Sequence, residues 1–584
     1  MKLLPWFPLS LGRGGQGVRC SLSHFHISSF FIHHFSRFAS RVSRIIILLF
    51  LLSPPLHAQG RLSGNFAVNA QYYRADSLIG AASVPQRLGA QTWMNLRYDQ
   101  GDFSAGLRYE GYLRALQGFD PGYDGVGIPY YFFRYGTGDI DVTAGSFYEQ
   151  FGNGLVLRAW EDKELGLDNA LQGVRVSTTL VPGVKLTGLV GRQRLFFDAG
   201  EGLVRGLNGD ASLSEWIPAW REGGLRLNFG GSFVNRYQDA EDPLYILPAN
   251  VATWSVRTLL SLGALSIDGE YARKINDPSL DNGYIYKPGE SLLINLNWAV
   301  DRLGIHLSAR RTDNMSFRSD RNQSLNRLMI NNIPAITRNY TYSLMTLYPY
   351  ATQLNGEMGL HGELTWQLRE GSAAGGKYGT LLTLNFTVVN DIVRNPVVAY
   401  GDTLPSLGRP GTLGYQSPFF GIGEEKLHRD LSLEISRRLS PRLHATLAWQ
   451  QLLYNQSLLE GKGDMVRAGI GVAEITWRIR ERHSLRTEVQ ALFTGDDRGG
   501  WIMALVEYSI SPKWFFALSD QYNHGNPDPA GRQHYISASA GYTTGPTRIQ
   551  LTWGRQREGI LCVGGVCRQV PAMSGVGVSV VTVF

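Results

Sequence analysis

The chain has 584 residues, 43% hydrophobic and 18% charged, with 68 glycines, 27 tyrosines, 26 phenylalanines and 13 tryptophans. Its net charge of +7 looks basic, but Lys2, Arg13, Arg19, Arg37, Arg41 and Arg44 all lie in the first 58 residues, which hold no Asp or Glu; taking those 6 from 56 leaves 50 basic against 49 acidic residues. That balance excludes a nucleic-acid-binding surface.

The apolar run IIILLFLL at residues 45–52 follows Arg41 and Arg44 and precedes SPPLHAQG, the pattern of a signal peptide over residues 42–58 cleaved near Ala58. It is too short to span a membrane as a helix. Residues 1–41 form an unusually long His- and Phe-rich preamble, which points to a translation start near Val42; amino-terminal sequencing of the precursor tests this. Residues 59–584 read as a single domain in which no apolar stretch approaches the roughly 18 residues of a transmembrane helix. A membrane-embedded chain without helical spans has to close its sheet, because lipid cannot satisfy a free strand edge.

Amphipathic segments begin at once. Residues 62–75 (LSGNFAVNAQYYRA) read as a strand, which leaves no room for the plug domain of more than about a hundred residues that a TonB-dependent receptor places before its barrel. Phe103, Ala105, Leu107 and Tyr109 then alternate with Ser104, Gly106, Arg108 and Glu110, a period of two that sends one face to lipid and the other to a lumen.

Between a strand ending near Glu149 and another starting near Val174 lies QFGNGLVLRAWEDKELGLDNALQG, the third long loop in chain order. Its charged residues Arg158, Glu161, Asp162, Lys163, Glu164 and Asp168 are candidates for a pore constriction. The GNGLVL stretch is too apolar for a purely exposed loop, and a wide barrel needs an inward element to narrow it.

Further on, Leu292, Ile294, Leu296 and Trp298 oppose Asn295 and Asn297, and beyond a turn at Asp301-Arg302, Ile305 and Leu307 oppose His306, Ser308 and Arg310. The same alternation brackets Ser511-Pro512, and Ile549, Leu551 and Trp553 are set against Arg548, Gln550 and Thr552. Tight turns are expected at Gln100-Gly101, Gly136-Thr137, Pro182-Gly183, Gly263, Ser440-Pro441, Arg480-Glu481 and Gly545-Pro546 as well, and long segments at the other end, notably residues 314–350 and 394–425, facing outside. The fold expected is an all-β, transmembrane, antiparallel up-and-down barrel of about 24 strands (20–26), with both termini on the periplasmic side.

Cys562 and Cys567 are the only cysteines after the leader, which contains Cys20. A Gly564-Gly565 hairpin turn would set Val563 opposite Val566 and Cys562 opposite Cys567, close enough for a disulfide in an oxidising compartment; two free thiols in a loop are the alternative. The last segment, GVSVVTVF, alternates Val576, Val578, Val580, Thr582 and Phe584 with Gly575, Gly577, Ser579, Val581 and Val583. An aromatic terminus on the lipid face is similar to the signal by which outer-membrane barrels are handed to their assembly machinery.

Lumen faces defined this way carry Arg97, Asp99, Arg108, Glu110, Arg226, Arg257, Asp268, Glu270, Arg310, Glu507 and Arg548. Both signs occur, so cross-strand ion pairs that stiffen the wall are expected more than a single-sign selectivity ring. The histidines after the leader are scattered, and neither H-E-x-x-H nor G-x-S-x-G occurs; no enzymatic activity, metal or cofactor is expected, although a Ser and a His could still meet across neighbouring strands.

The wording GSFYEQFGNGLVLRAWEDKELGLDNALQGVRV, followed by GRQRLFF and GLVRGLNGD, resembles a group of outer-membrane barrels in Bacteroidota catalogued as a domain of unknown function. The resemblance is carried mainly by residues 60–215. It implies the location and the fold and supplies no activity. From the residues, the leading function is porin-like passive passage of small polar solutes; the alternative is a sealed barrel acting as a scaffold that docks a periplasmic or surface protein in secretion, surface assembly or adhesion. The expected associations are outer-membrane lipid and the assembly machinery, with no nucleic acid; oligomeric state leaves no trace in the sequence.

Overall fold

The computed structural model describes residues 60–239, 242–397, 408–563 and 566–584. The leader, its cleavage site, the start near Val42, Cys20 and the Gly564-Gly565 turn lie outside the described residues.

Twenty-four antiparallel strands form one closed sheet, each strand bonded to its neighbours in the chain. Closure comes from the first strand, Arg61–Tyr73, pairing with the last, Met573–Val583, from Asn65↔Val583 to Tyr73↔Gly575. The terminal residue completes the seam: Gly64 and Phe584 exchange backbone hydrogen bonds of 2.8 and 2.9 Å. Gly64 is required there, because a Cβ would sit 2.7 Å from the Phe584 ring and 2.6 Å from the Asn95 carbonyl oxygen. With its edges joined, the sheet leaves no backbone donor or acceptor for lipid to strand.

The period of two places the faces as expected. On Thr547–Gln556, Ile549, Leu551 and Trp553 are exposed outward, and on the last strand Val576 and Val578 are exposed while Gly575 and Gly577 are buried. Phe103, Tyr135, Trp366, Trp477 and Trp514 are exposed beside the short turns, where an interfacial aromatic girdle belongs. Every tight turn expected from the sequence joins consecutive strands. Two connections at the same end are longer: one between Ser212 and Leu225, which contains the short helix Pro218–Glu222, and one between Leu368 and Thr380. Both chain ends of the barrel lie at this short-turn end.

The long segments at the other end require a correction. Most of residues 314–350 turns into the lumen, while Leu325 and Arg327 stay exposed: Met315, Phe317, Ile330, Ile333, Leu344 and Tyr348 are all buried, packed against the lumen wall. Their side chains are too apolar to be left in water, and the inner wall offers matching apolar positions. Of residues 394–425, those described include a short pairing of Asn395–Pro396 with Tyr415–Gln416, and Tyr415 packs on Ile285 and Ile392.

Candidate functional site: loops inside the barrel

The third long connection runs from the end of Ile140–Phe147 to the start of Leu171–Val181 and folds into two miniature hairpins, Gln150–Phe151 with Leu157–Arg158 and Glu161–Asp162 with Leu167–Asp168. Gly152 and Gly154, both at positive φ, make the first turn. Leu155, Val156 and Leu157 are fully buried. They rest on an apolar patch of the lumen wall formed by Leu189, Val204, Val234, Val251, Ala272 and Leu293, one residue from each of six consecutive strands. A stripe like this on a face that is otherwise polar is the docking surface for an inward loop.

Buried charges fix the loop at two further points. Arg108 donates to Glu161 through two bonds of 2.9 Å and to Asp168 at 3.0 Å. Arg194, whose side chain is 1% exposed, donates to Glu110 at 2.9 and 2.6 Å and to Asp168 at 2.5 Å. Tyr148 donates to the second Asp168 oxygen at 3.0 Å. At the loop tip, Glu270 accepts from the Asn153 amide at 2.6 Å. Burial raises the Glu161 carboxyl above its ordinary value despite Arg108 beside it, and burial raises the Tyr148 phenol likewise. The other loop charges are also engaged: Arg158 lies over Trp160 and Lys163 over Trp93, and Asp162 accepts from the Leu165 amide. Glu164 lines the outer cavity described below.

Residues 314–356 form a strap across the lumen. Its first half pairs with the inward loop: Arg158 donates its amide to Ile330 at 2.8 Å, Asn332 to Gly154 at 3.2 Å, and the Asn331 side chain bridges the Leu155 and Met315 carbonyls at 3.0 and 2.8 Å. Its second half reaches a different part of the wall, where Arg338 donates to Glu434 at 2.8 Å, Tyr340 to Asp430 at 2.7 Å, and the Leu344 amide to Gln490 at 2.8 Å. Arg310 and Glu357, at the strap's two ends, form a fully buried ion pair.

Of the lumen charges expected from alternation, Arg108, Glu110 and Glu270 therefore hold the inward loop and Arg310 holds the strap. Arg257 bonds Asp210, Asn208 and Ser232, Asp268 accepts from Asn295, and Glu507 accepts from Arg486, all along the wall. Arg97 pairs with Asp99, Arg548 bonds Gln550, and Arg226 is exposed near the short turns. Sequence reasoning missed Arg194, Arg338 and Asp430. Arg194 sits in GRQRLFF, at the end of a strand where alternation no longer assigns a face. Asp430 does alternate inward in Ile422–Ser440, and that was a usable signal.

A third element completes the site. Gly559–Val563 pairs with Val566–Val570, with Cys562 and Cys567 directly opposite and disulfide-bonded, Cα atoms 4.1 Å apart. Val563 and Val566 pack on Leu165, Leu167 and Met329, so this hairpin lies against both the inward loop and the strap. Cavities of about 780 and 900 Å³ flank it. A third, of about 550 Å³, opens near the short turns beside Arg97, Arg134, Asp141, Arg175 and Lys185.

This barrel, with its inward GNGLVL loop, matches a family model described as "Family of unknown function (DUF6029)" over residues 40–584. The chain belongs to that family. The match extends well beyond residues 60–215, so the likeness does not end where the most specific wording does. No curated protein matches the chain. Among solved structures, the siderophore receptor PirA from Pseudomonas aeruginosa is 12% identical, with 91% of this chain and 81% of that one covered and a TM-score of 0.39. The outer membrane transporter YddB from Escherichia coli is 7% identical, covering 89% and 81%, with a TM-score of 0.36. The outer membrane protein opdK from Pseudomonas aeruginosa is 10% identical, covering 79% and 99%, with a TM-score of 0.30. These are likenesses of barrel architecture and say nothing of activity.

A Ser and a His do meet across neighbouring strands: Ser436 Oγ lies 3.1 Å from His444 Nε2 on the lumen side. The carboxylate that orients the imidazole in a hydrolytic triad is not among the described partners of His444.

Proposed function

We propose that the chain is a bacterial outer-membrane channel for passive passage of small polar solutes, its lumen narrowed by the third long loop and by the strap. In this reading the short turns and both termini face the periplasm, the long loops face outside, and a cleaved leader and the barrel-assembly machinery deliver the chain. One observation carries the proposal: a polar lumen wall holds water-sized space on both sides of a layer made of loops, with cavities of about 780 and 900 Å³ at the long-loop end and about 550 Å³ at the short-turn end. Loops held by side-chain contacts and a few backbone hydrogen bonds, unlike a continuous sheet or a folded domain, are an adjustable restriction. Because the loop acids Glu161 and Asp168 are matched by wall arginines, the restriction selects by size more than by charge sign.

The test is single-channel conductance of the refolded barrel in a planar bilayer, beside a variant lacking residues 155–167. Small steady steps that grow on deletion are expected. Silence in both would sink the proposal and favour the second reading, a sealed barrel that docks a surface or periplasmic protein. The buried strap and the strongly exposed Leu244, Ile246 and Phe420 of the long-loop end support that second reading.

A further inference from the structure

We infer that the cavity of about 780 Å³ between the second half of the strap, the lumen wall and the disulfide hairpin is a binding site for a neutral sugar of one to three rings. Biologically it rests on the channel reading, as a station on the solute path, but the binding itself is measured without current.

The volume falls within the range of small-molecule sites, roughly 300–1,000 Å³. What singles the cavity out is the state of its lining. Asp430, His428 and Gln450 all line it and are buried, at 4%, 3% and 1% exposure. Asp430 Oδ1, Gln450 Oε1, both ring nitrogens of His428 and Arg338 Nη1 have no hydrogen-bond partner. Buried polar atoms are nearly always satisfied, and such a cluster in one place calls for a ligand or water. These side chains are also held in position: the other Asp430 oxygen accepts from Tyr340 at 2.7 Å, and Arg338 Nη2 donates to Glu434 at 2.8 Å.

These unpaired atoms have almost no exposed surface, so a ligand reaches them by displacing a neighbour such as the Tyr340 hydroxyl, and their mix selects which ligand can do so. Asp430 and Gln450 need donors, Arg338 needs an acceptor, and a neutral His428 offers one of each. An anion without a hydroxyl cannot donate to the first two; hydrogen phosphate can through its P–OH, which makes it the competing occupant to be titrated beside the sugars. A cation would face Arg338, Arg555, Arg557 and Arg568 on the cavity's walls. A sugar hydroxyl donates and accepts at once, and adjacent hydroxyls on a ring match acceptor and donor set side by side. Of the tyrosines on the lining, the half-buried Tyr340 supplies a flat apolar face for the C–H side of the ring, while Tyr348 and Tyr350 are buried with their rings against Tyr454 and His428. Tyr340 already bonds Asp430 and Ser432 through its hydroxyl; a sugar hydroxyl that replaces it there keeps the number of bonds unchanged.

The experiment presents the refolded full-length barrel, in detergent, to an array of neutral mono-, di- and trisaccharides, with inorganic phosphate and citrate titrated in parallel. Gln450→Leu, which keeps the packing and removes the acceptor, and Asp430→Asn are compared with wild type, each first shown to be folded by heat-modifiable migration. At least one neutral sugar is expected to bind wild type at millimolar or tighter Kd, and at least tenfold more weakly to both variants. Absence of any neutral sugar on the wild type, binding that the folded variants leave unchanged, or phosphate or citrate binding that both variants abolish would each overturn the assignment. A barrel that conducts but binds no sugar removes the site and leaves the channel; one that binds sugar but stays silent in bilayers removes the channel and leaves the site.

Discussion

Replacing Arg194 by Met tests whether charge holds the third loop in the lumen. Arg194 comes from the wall, as does Glu110, and Asp168 comes from the loop; the Arg194 side chain is 1% exposed, and those of Glu110 and Asp168 are 2% and 7% exposed. Methionine fills most of the space but leaves two carboxylates with Arg108 as their remaining guanidinium partner. Breaking one side of a buried pair costs about 3–5 kcal/mol. Undocking the loop relieves that penalty by returning Asp168 to water, so the cost falls on the docking equilibrium and not on the 24-stranded wall. At about 1.4 kcal/mol per decade, the docked population loses roughly two to nearly four orders of magnitude of its advantage. Hydrogen exchange read by mass spectrometry on residues 153–158 is expected to accelerate by that factor, while strand amides such as those of Val184–Leu195 keep their protection. Exchange within about threefold of wild type over residues 153–158 would refute the reasoning and shift the attachment to the apolar packing of Leu155, Val156 and Leu157 and to the hydrogen bonds that do not involve Arg194.

Three more expectations follow from other contacts. Because burial raises the Glu161 carboxyl above its ordinary value, this group favours docking in its protonated form: its contribution is fully present below the ordinary carboxylate value and is lost as pH rises through the raised one. Glu161→Gln should flatten that dependence, and exchange protection of the loop that instead increases with pH would contradict it. Replacing Cys562 and Cys567 by Ser removes a link across a six-residue loop, which the chain-entropy relation values at about 2 kcal/mol. The loss should appear as faster exchange confined to the hairpin Gly559–Val563 and Val566–Val570, with the barrel's urea midpoint unchanged; a shifted midpoint would show that the hairpin supports the wall. Finally, Leu551 faces outward and Gln550 inward on one strand. Leu551→Arg should cost about 2–4 kcal/mol in urea titrations of vesicle-inserted barrel and Gln550→Arg far less, and equal costs would overturn the assignment of faces.

Alternation alone made the wall legible. A strand's two faces differ whether or not its neighbours are known, so Ile549, Leu551 and Trp553 declared a lipid face from sequence, and Gly-, Pro- and Asp-marked turns set the rhythm of hairpins. The apolar GNGLVL likewise marked a loop that does not stay in water. Local pattern could not say where residues 314–350 go. Met315, Phe317 and Leu344 lie in a segment with no period; Met315 and Phe317 are buried against an apolar stripe assembled from six successive strands, and Leu344 against a second patch of the wall. Arg194 and Asp168 are 26 residues apart and Arg310 and Glu357 are 47 apart, and nothing in the order of residues says that these charges meet. The sequence by itself therefore determined the closed barrel and its two faces, because backbone satisfaction in lipid and a period of two are local requirements. Which wall residues receive the loop and the strap was decided only by tertiary structure, because the partners of each buried side chain come from several strands that only the folded sheet sets side by side.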